Sequence, residues 1–152
     1  MKTKEKPKVD LRNKKAGFEY EFLETFTAGM VLCGTEIKSI RTGRIGFVDS
    51  YCSFQNGELW VHNLHISEYK QGSHYNHDPK RDRKLLLTKR ELRKLGDKIK
   101  GTGITIVPTR IWVNENGFAK MDIALAKGKK LYDKRESIKE KDIRRTMARR
   151  DE

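Results

Sequence analysis

The stretch "GITIVPTRIWVNENGFAKMDIALAKG", residues 103–128, decides the fold. Ile104 and Ile106 alternate on the approach to Asn116-Gly117. Ala119, Met121, Ile123 and Leu125 alternate after it, opposite Lys120 and Asp122. A period of two marks a strand with one buried face, and Asn-Gly supplies the positive φ angles of a tight hairpin turn. The segment predicts a β-hairpin. A second one precedes it in "FVDSYCSFQNGELWVHNLHI", residues 47–66, which turns at Asn56-Gly57.

The flanks complete the pattern. "AGFEYEFLET" (16–25) alternates, with Phe18, Tyr20 and Phe22 on one side and Glu19 and Glu21 on the other, and predicts a strand. "AGMVLCG" (28–34) predicts a second strand paired with the first. "TEIKSIRTG" (35–43) predicts a short helix capped by Thr35 and stopped at Gly43. "TKRELRKLGDKIKG" (88–101) predicts a longer one. Thr88 and Glu91 form a capping box there, and Leu92, Leu95 and Ile99 make one apolar stripe. Between them "SEYKQGSHYNHDPKRDR" (67–83) is a long polar loop. Many short antiparallel strands with few helices predict a mainly β protein, a small closed barrel with helices on its ends. An open α+β sandwich is the competing layout. Phe18, Tyr20, Phe22, Ile104, Ile106, Met121 and Ile123 are the expected core.

At 152 residues the chain has room for one modest core, and 36% hydrophobic residues imply a folded body with polar extensions. No apolar run is long enough to span a membrane. The N-terminus has no apolar stretch of the secretory kind, and Cys33 and Cys52, both inside apolar runs, are expected to be reduced core residues. Together these predict a cytoplasmic protein. The net charge of +13 combines +5 in residues 1–15, +7 in residues 80–100 and +5 in residues 127–152 with −4 over the rest of the chain. Clustered Lys and Arg point to a polyanion, because contact with phosphates releases condensed counterions. The organisation expected is a basic arm over 1–15, a barrel over 16–126 and a basic tail over 127–152.

Catalytic chemistry finds little support. His62 and His65 leave opposite faces of a strand, and His74 and His77 beside Asp78 make at most three metal ligands without a cysteine. No phosphate-binding glycine loop stands between a strand and a helix. No metal, cofactor or catalytic residue is expected. Tyr69, Lys70, Tyr75, His77, Lys80 and Arg81 instead interleave rings with cations, a pattern that suits unpaired bases and their phosphates.

Four stretches in order, "NKKAGFEYEF" (13–22), "GTEIKSIRTG" (34–43), "HDPKRDRKLLL" (77–87) and "AKGKKLYDKRE" (126–136), resemble the small protein B family, the SsrA-binding proteins. The resemblance covers nearly the whole chain. It implies an oligonucleotide-binding (OB) type barrel with flanking helices. It also implies a non-enzymatic, monomeric adaptor. Such an adaptor binds the tRNA-like part of transfer-messenger RNA (tmRNA) and brings it to stalled ribosomes for trans-translation. It places Asn13, Lys14, Arg81, Arg83, Lys84 and Leu86 near the RNA. It places Lys129, Lys130, Tyr132, Asp133, Lys134 and Arg135 near the decoding centre of the small ribosomal subunit. Thr27 stands where many members carry an acid, so no charged contact is carried over there. Tyr132 stands where many carry histidine, so a stacking role carries over and a protonation-dependent one does not. A generic OB-fold RNA binder or RNA chaperone is the alternative. The tail, with Ser137 and Glu140 as a capping box, is expected to be flexible alone and helical on the ribosome.

Overall fold

In this computed structural model the structure describes residues 9–70, 76–101 and 103–129. The two expected hairpins are both present. β4 (Tyr51–Gln55) and β5 (Glu58–His62) turn at Asn56 and Gly57, whose φ angles of 53° and 78° are those of a tight reversing turn. β8 (Ile104–Val113) and β9 (Ala119–Gly128) pair along their whole length, with Gly117 at φ 82° in the turn. Around them lie β1 (Asp10–Arg12), α1 (Lys14–Glu19), β2 (Tyr20–Met30), α2 (Gly34–Arg41), β7 (Arg83–Leu86) and α3 (Lys89–Lys98). β3 (Ile45–Gly46) and β6 (His65–Ile66) form a separate two-stranded ribbon that the sequence reading did not foresee.

The large sheet is antiparallel and runs β1-β8-β4-β5-β7-β2-β9, and β9 also pairs with β8. Pairing therefore returns to β8, whose other edge is shared by β4 at Ile106 and β1 at Arg110–Trp112. The change of partner falls at a bulge between Pro108 and Arg110. Proline cannot donate to a ladder, and a bulge is where a strand tolerates it. The bulge also shifts which residues face inward: Ile106 is buried before it and Ile111 after it.

The core gathers Ala28, Ile40, Leu59, Val61, Leu64, Leu85, Leu95, Ile106, Ile111, Met121, Ile123 and Leu125 inside the sheet. α2 contributes Ile40 and α3 contributes Leu95, both fully buried. A fully buried leucine or isoleucine is worth about 1.5–3 kcal/mol, so these two side chains anchor their helices. The Thr88–Glu91 capping box of α3 is formed as expected.

Several expectations are corrected. "AGFEYEFLET" is not one strand, because Asn13 caps α1 and the strand starts only at Tyr20. Phe18 therefore belongs to a helix, Tyr20 packs outside the sheet against Ala16, Val107 and Ala126, and Phe22 is exposed. A bulge at Leu23 resets β2 so that Phe26, Ala28 and Met30 face the core. The two expected strands are one. The cap of α2 is Cys33, not Thr35, and Cys33 is exposed while Cys52 is buried. Burial pushes the Cys52 thiol pKa up. The basic arm is shorter than expected, since Asp10–Arg12 already pair with Trp112–Arg110. At the other end β9 reaches Gly128, and the Lys129 amide donates to the Glu19 carbonyl at 3.0 Å.

Candidate nucleic-acid interface

Arg81, Arg83 and Lys84 were expected to face RNA together, and the structure separates them. β7 alternates, so Arg83 and Leu85 point inward while Lys84 and Leu86 point outward. Arg83 is fully buried. Its Nε donates to Glu36 Oε2 at 2.5 Å, and its other nitrogens donate to the carbonyls of Leu64, Asp78 and Pro79. Arg83 is thus a structural strut, not a phosphate ligand. Arg81 lies at the rim, donating to Glu36 Oε1 at 2.5 Å and to the Val31 carbonyl. Burial pushes the Glu36 carboxyl up, but hydrogen bonds from Arg81, the Cys33 amide and Arg83 outweigh it and hold the pKa below its ordinary 4.5. The cluster pins α2 to β7.

Leu86 is 52% exposed and packs its Cβ and Cδ1 over Gly29, where an added Cβ would sit 3.4 Å from it. Outward positions of β2 and β9 continue the surface. Thr27 donates to Asp122 Oδ1 at 2.9 Å, Trp112 Nε1 donates to the same oxygen at 3.0 Å, and Arg110 lies 3.5 Å from Oδ2. Arg110 also stacks over Trp112 and grips Asp10 bidentately. Asp122 borders a cleft of about 380 Å³ that includes Asn13, Lys14 and Phe22. β2 and β9 therefore join Leu86 to Asn13 and Lys14 on one outward surface. Asn13 itself is occupied: its Oδ1 accepts from the Ala16 amide at 3.3 Å and its Nδ2 donates to the Pro108 carbonyl at 2.8 Å. Lys14 is exposed.

A second cleft of about 580 Å³ opens on the other side of α1, between Arg12, Lys14 and Lys15 on one wall and Phe47, Val48 and Tyr51 on the other. The sequence reading missed Arg12, Lys15, Val48 and Tyr51. Val48 and Tyr51 are 69% and 44% exposed, and the turn that presents them holds Asp49 at φ 60°. An Asn followed by a helix-forming run at residue 13 was the available signal for α1, and hence for this wall.

The expected RNA contact of His77 is corrected too. His77 is buried, bonded to Thr35 Oγ1 and the Ile66 carbonyl oxygen, both at 2.8 Å, so it does not face RNA. Tyr69 lies beneath Lys38 and its backbone is tied to Asn76. His74, Tyr75 and the tail residues Lys130, Tyr132, Asp133, Lys134 and Arg135 lie outside the described residues. His62 bridges Ser53 Oγ at 2.6 Å and Asp82 Oδ1 at 2.9 Å. That connectivity also serves acyl transfer, but neither cleft is lined by any of the three. Here it ties β4, β5 and the entry to β7. Among the described residues no group of three His, Cys, Asp or Glu side chains could hold a metal ion.

This is a small β-sheet protein with a cationic, partly apolar outer surface, a form suited to gripping a polyanion. The SmpB protein family model matches residues 10–152. The SsrA-binding protein of Phocaeicola vulgatus is 61% identical over 141 residues, covering 93% of this chain and 94% of its own. That of Bacteroides thetaiotaomicron is 60% identical over 143 residues, 94% and 95% of the two chains. A solved structure described as "tmRNA-SmpB: a journey to the center of the bacterial ribosome" shares 49% identity at a TM-score of 0.70. It covers 81% of this chain and 86% of that one. The chain belongs to the SmpB family.

Proposed function

We propose that this chain is an RNA-binding adaptor. It binds the tRNA-like part of tmRNA and delivers it to stalled ribosomes, where the nascent peptide is tagged and the ribosome released. The observation that carries this reading is the match of nearly the whole chain to proteins named SsrA-binding protein, with a likeness to a solved structure whose description names tmRNA, SmpB and the bacterial ribosome. The joined surface of Lys84, Leu86, Thr27, Lys14 and their neighbours supports it: an exposed leucine among cations offers a base-packing surface beside phosphate contacts. We assign the body to an OB-type closed barrel, supported by strand pairing that returns to β8 around one core. The protein acts in the cytoplasm as a monomer and catalyses no step. The ribosome-facing part is the basic tail, with Lys129, Lys130, Asp133, Lys134 and Arg135 as cations and hydrogen-bonding groups and Tyr132 as a stacking ring.

RNA pull-down from a bacterial lysate tests the assignment. One dominant structured RNA with a tRNA-like end is expected. A broad RNA mixture would favour a generic OB-fold binder, and turnover of labelled RNA with a divalent metal would favour an enzyme. Either would overturn the adaptor reading.

A further inference from the structure

The segment with the densest positive charge in the body, residues 80–100, loses most of its expected phosphate contacts in the structure. Arg83 is buried and Arg81 is bound to Glu36, while Lys84 stays on the outward side of β7 beside Leu86, with Glu58 2.8 Å away. Among the described residues, the cations of this segment with no carboxylate partner are Lys80 and, on α3, Lys89, Arg90 and Arg93. The inner side of α3 is fixed: Leu95 is buried, Leu92 and Ile99 pack on the core, and Gly96 sits against Phe54. Its outer side exposes Lys89, Arg90, Arg93, Lys94, Asp97 and Lys98, with Lys100 just beyond.

The nearby carboxylates are already committed. Glu91 closes the helix cap with Thr88. Glu24, reaching across from β2, takes Lys94 at 2.5 Å and Lys98 at 2.8 Å. Asp97 lies beside Lys100. Among the described residues, no carboxylate lies within 4.0 Å of Lys89, Arg90 or Arg93. Lys89 and Arg90 share the first turn of α3, and Arg93 lies one turn on, about 5–6 Å from each as their i+4 and i+3 neighbour, so the three make one compact cationic patch. The outer side carries no ring to stack an unpaired base, since Phe26 lies half-buried beneath Lys94. It can hold backbone but not read bases.

We propose that the outer face of α3 is a second RNA-binding surface, which grips the phosphate backbone of double-stranded RNA through Lys89, Arg90 and Arg93. Glu24 limits its strength by holding Lys94 and Lys98. The surface stands on the helix that follows β7, whereas Leu86 and Lys14 lie on β7 and α1. The inference rests on the RNA-binding reading above for the class of partner alone.

The test uses the full chain and two probes, a short fluorescent RNA duplex of arbitrary sequence and a tmRNA transcript, with affinity measured by anisotropy across a salt series. Changing Lys89, Arg90 and Arg93 together to Gln keeps helix propensity and removes three contacts. The slope of log K against log salt for the duplex should become shallower by about 2–3 units. Glu24→Gln frees two lysines, and the slope should steepen by about 1–2 units with tighter binding. Misfolding does not produce that gain. Unchanged slopes in both variants, or a wild-type chain that does not bind the duplex, would overturn the proposal. If the chain binds the duplex with these responses yet does not prefer tmRNA, the adaptor reading fails while this surface stands. If it prefers tmRNA and the variants leave the duplex slope unchanged, the reverse holds.

Discussion

Arg83 shows how much one side chain's direction decides. It stands among cations and its neighbours face solvent, yet strand alternation turns it into the interior, where the Glu36 carboxylate and the carbonyls of Leu64, Asp78 and Pro79 compensate it. Removing one partner of such a pair costs up to about 3–5 kcal/mol, and because Arg81 and the Cys33 amide still hold Glu36 the loss falls at the lower end, about 3 kcal/mol. Arg83→Met should therefore lower the urea midpoint of unfolding by that equivalent while leaving the salt slope of RNA binding unchanged in the folded protein. Lys84→Ala should do the opposite: little change in stability, and a slope shallower by about one unit. A shallower slope for Arg83→Met would return that residue to the RNA face. The pH dependence has a definite sign. Glu36 is held below its ordinary 4.5 in the folded chain, so its contribution is complete above that value and is lost as pH falls through the lowered one. Stability followed by circular dichroism should fall with acid in that window, and Glu36→Gln should remove that part of the acid dependence.

Among the elements, α1 is held by few bonds and shapes both clefts. Asn13→Ala removes its cap and the tie to Pro108, for about 2 kcal/mol in all. Thermal unfolding should report the loss. An unchanged Tm would mean that the cap contributes nothing. At the first hairpin, Gly57→Ala places a side chain at φ 78° and should cost about 1–2 kcal/mol. Gly34→Ala, at the start of α2 with open space around it, should be near neutral. Both hairpins were legible because their signals are local: alternation plus an Asn-Gly turn. α3 was legible through its cap and stripe. α1 was not, because a six-residue helix buries little, and "AGFEYE" alternates like a strand by coincidence. The bulges at Leu23 and Thr109 were hidden as well, since alternation is counted along one strand and a bulge is set by its partner. Pro108 was the single local hint. The site was legible in its residue types but not in its orientations. Tyr51 and Arg12 lie far apart in sequence and meet only through the fold.

At the scale of the whole molecule, a net charge of +13 overstates what the body presents to a polyanion. Glu24, Glu36, Glu58, Asp10 and Asp122 each hold at least one Lys or Arg of the sheet and its helices. Carboxylates near a cation reduce its pull on phosphate and discriminate against loosely matched RNA. Among the described residues, the helix cations with no carboxylate within 4.0 Å are Lys14 on α1, Lys38 and Arg41 on α2, and Lys89, Arg90 and Arg93 on α3. In this account the body holds tmRNA and the tail addresses the ribosome, two tasks on separate parts of one chain. The most direct measurement is peptide tagging on stalled ribosomes in a purified system, comparing the full chain with a chain truncated after Gly128. The account predicts that the full chain supports tagging, while the truncated chain still binds tmRNA but yields no tagged peptide. Tagging at the normal rate by the truncated chain, or tagging that proceeds without the protein, would contradict it.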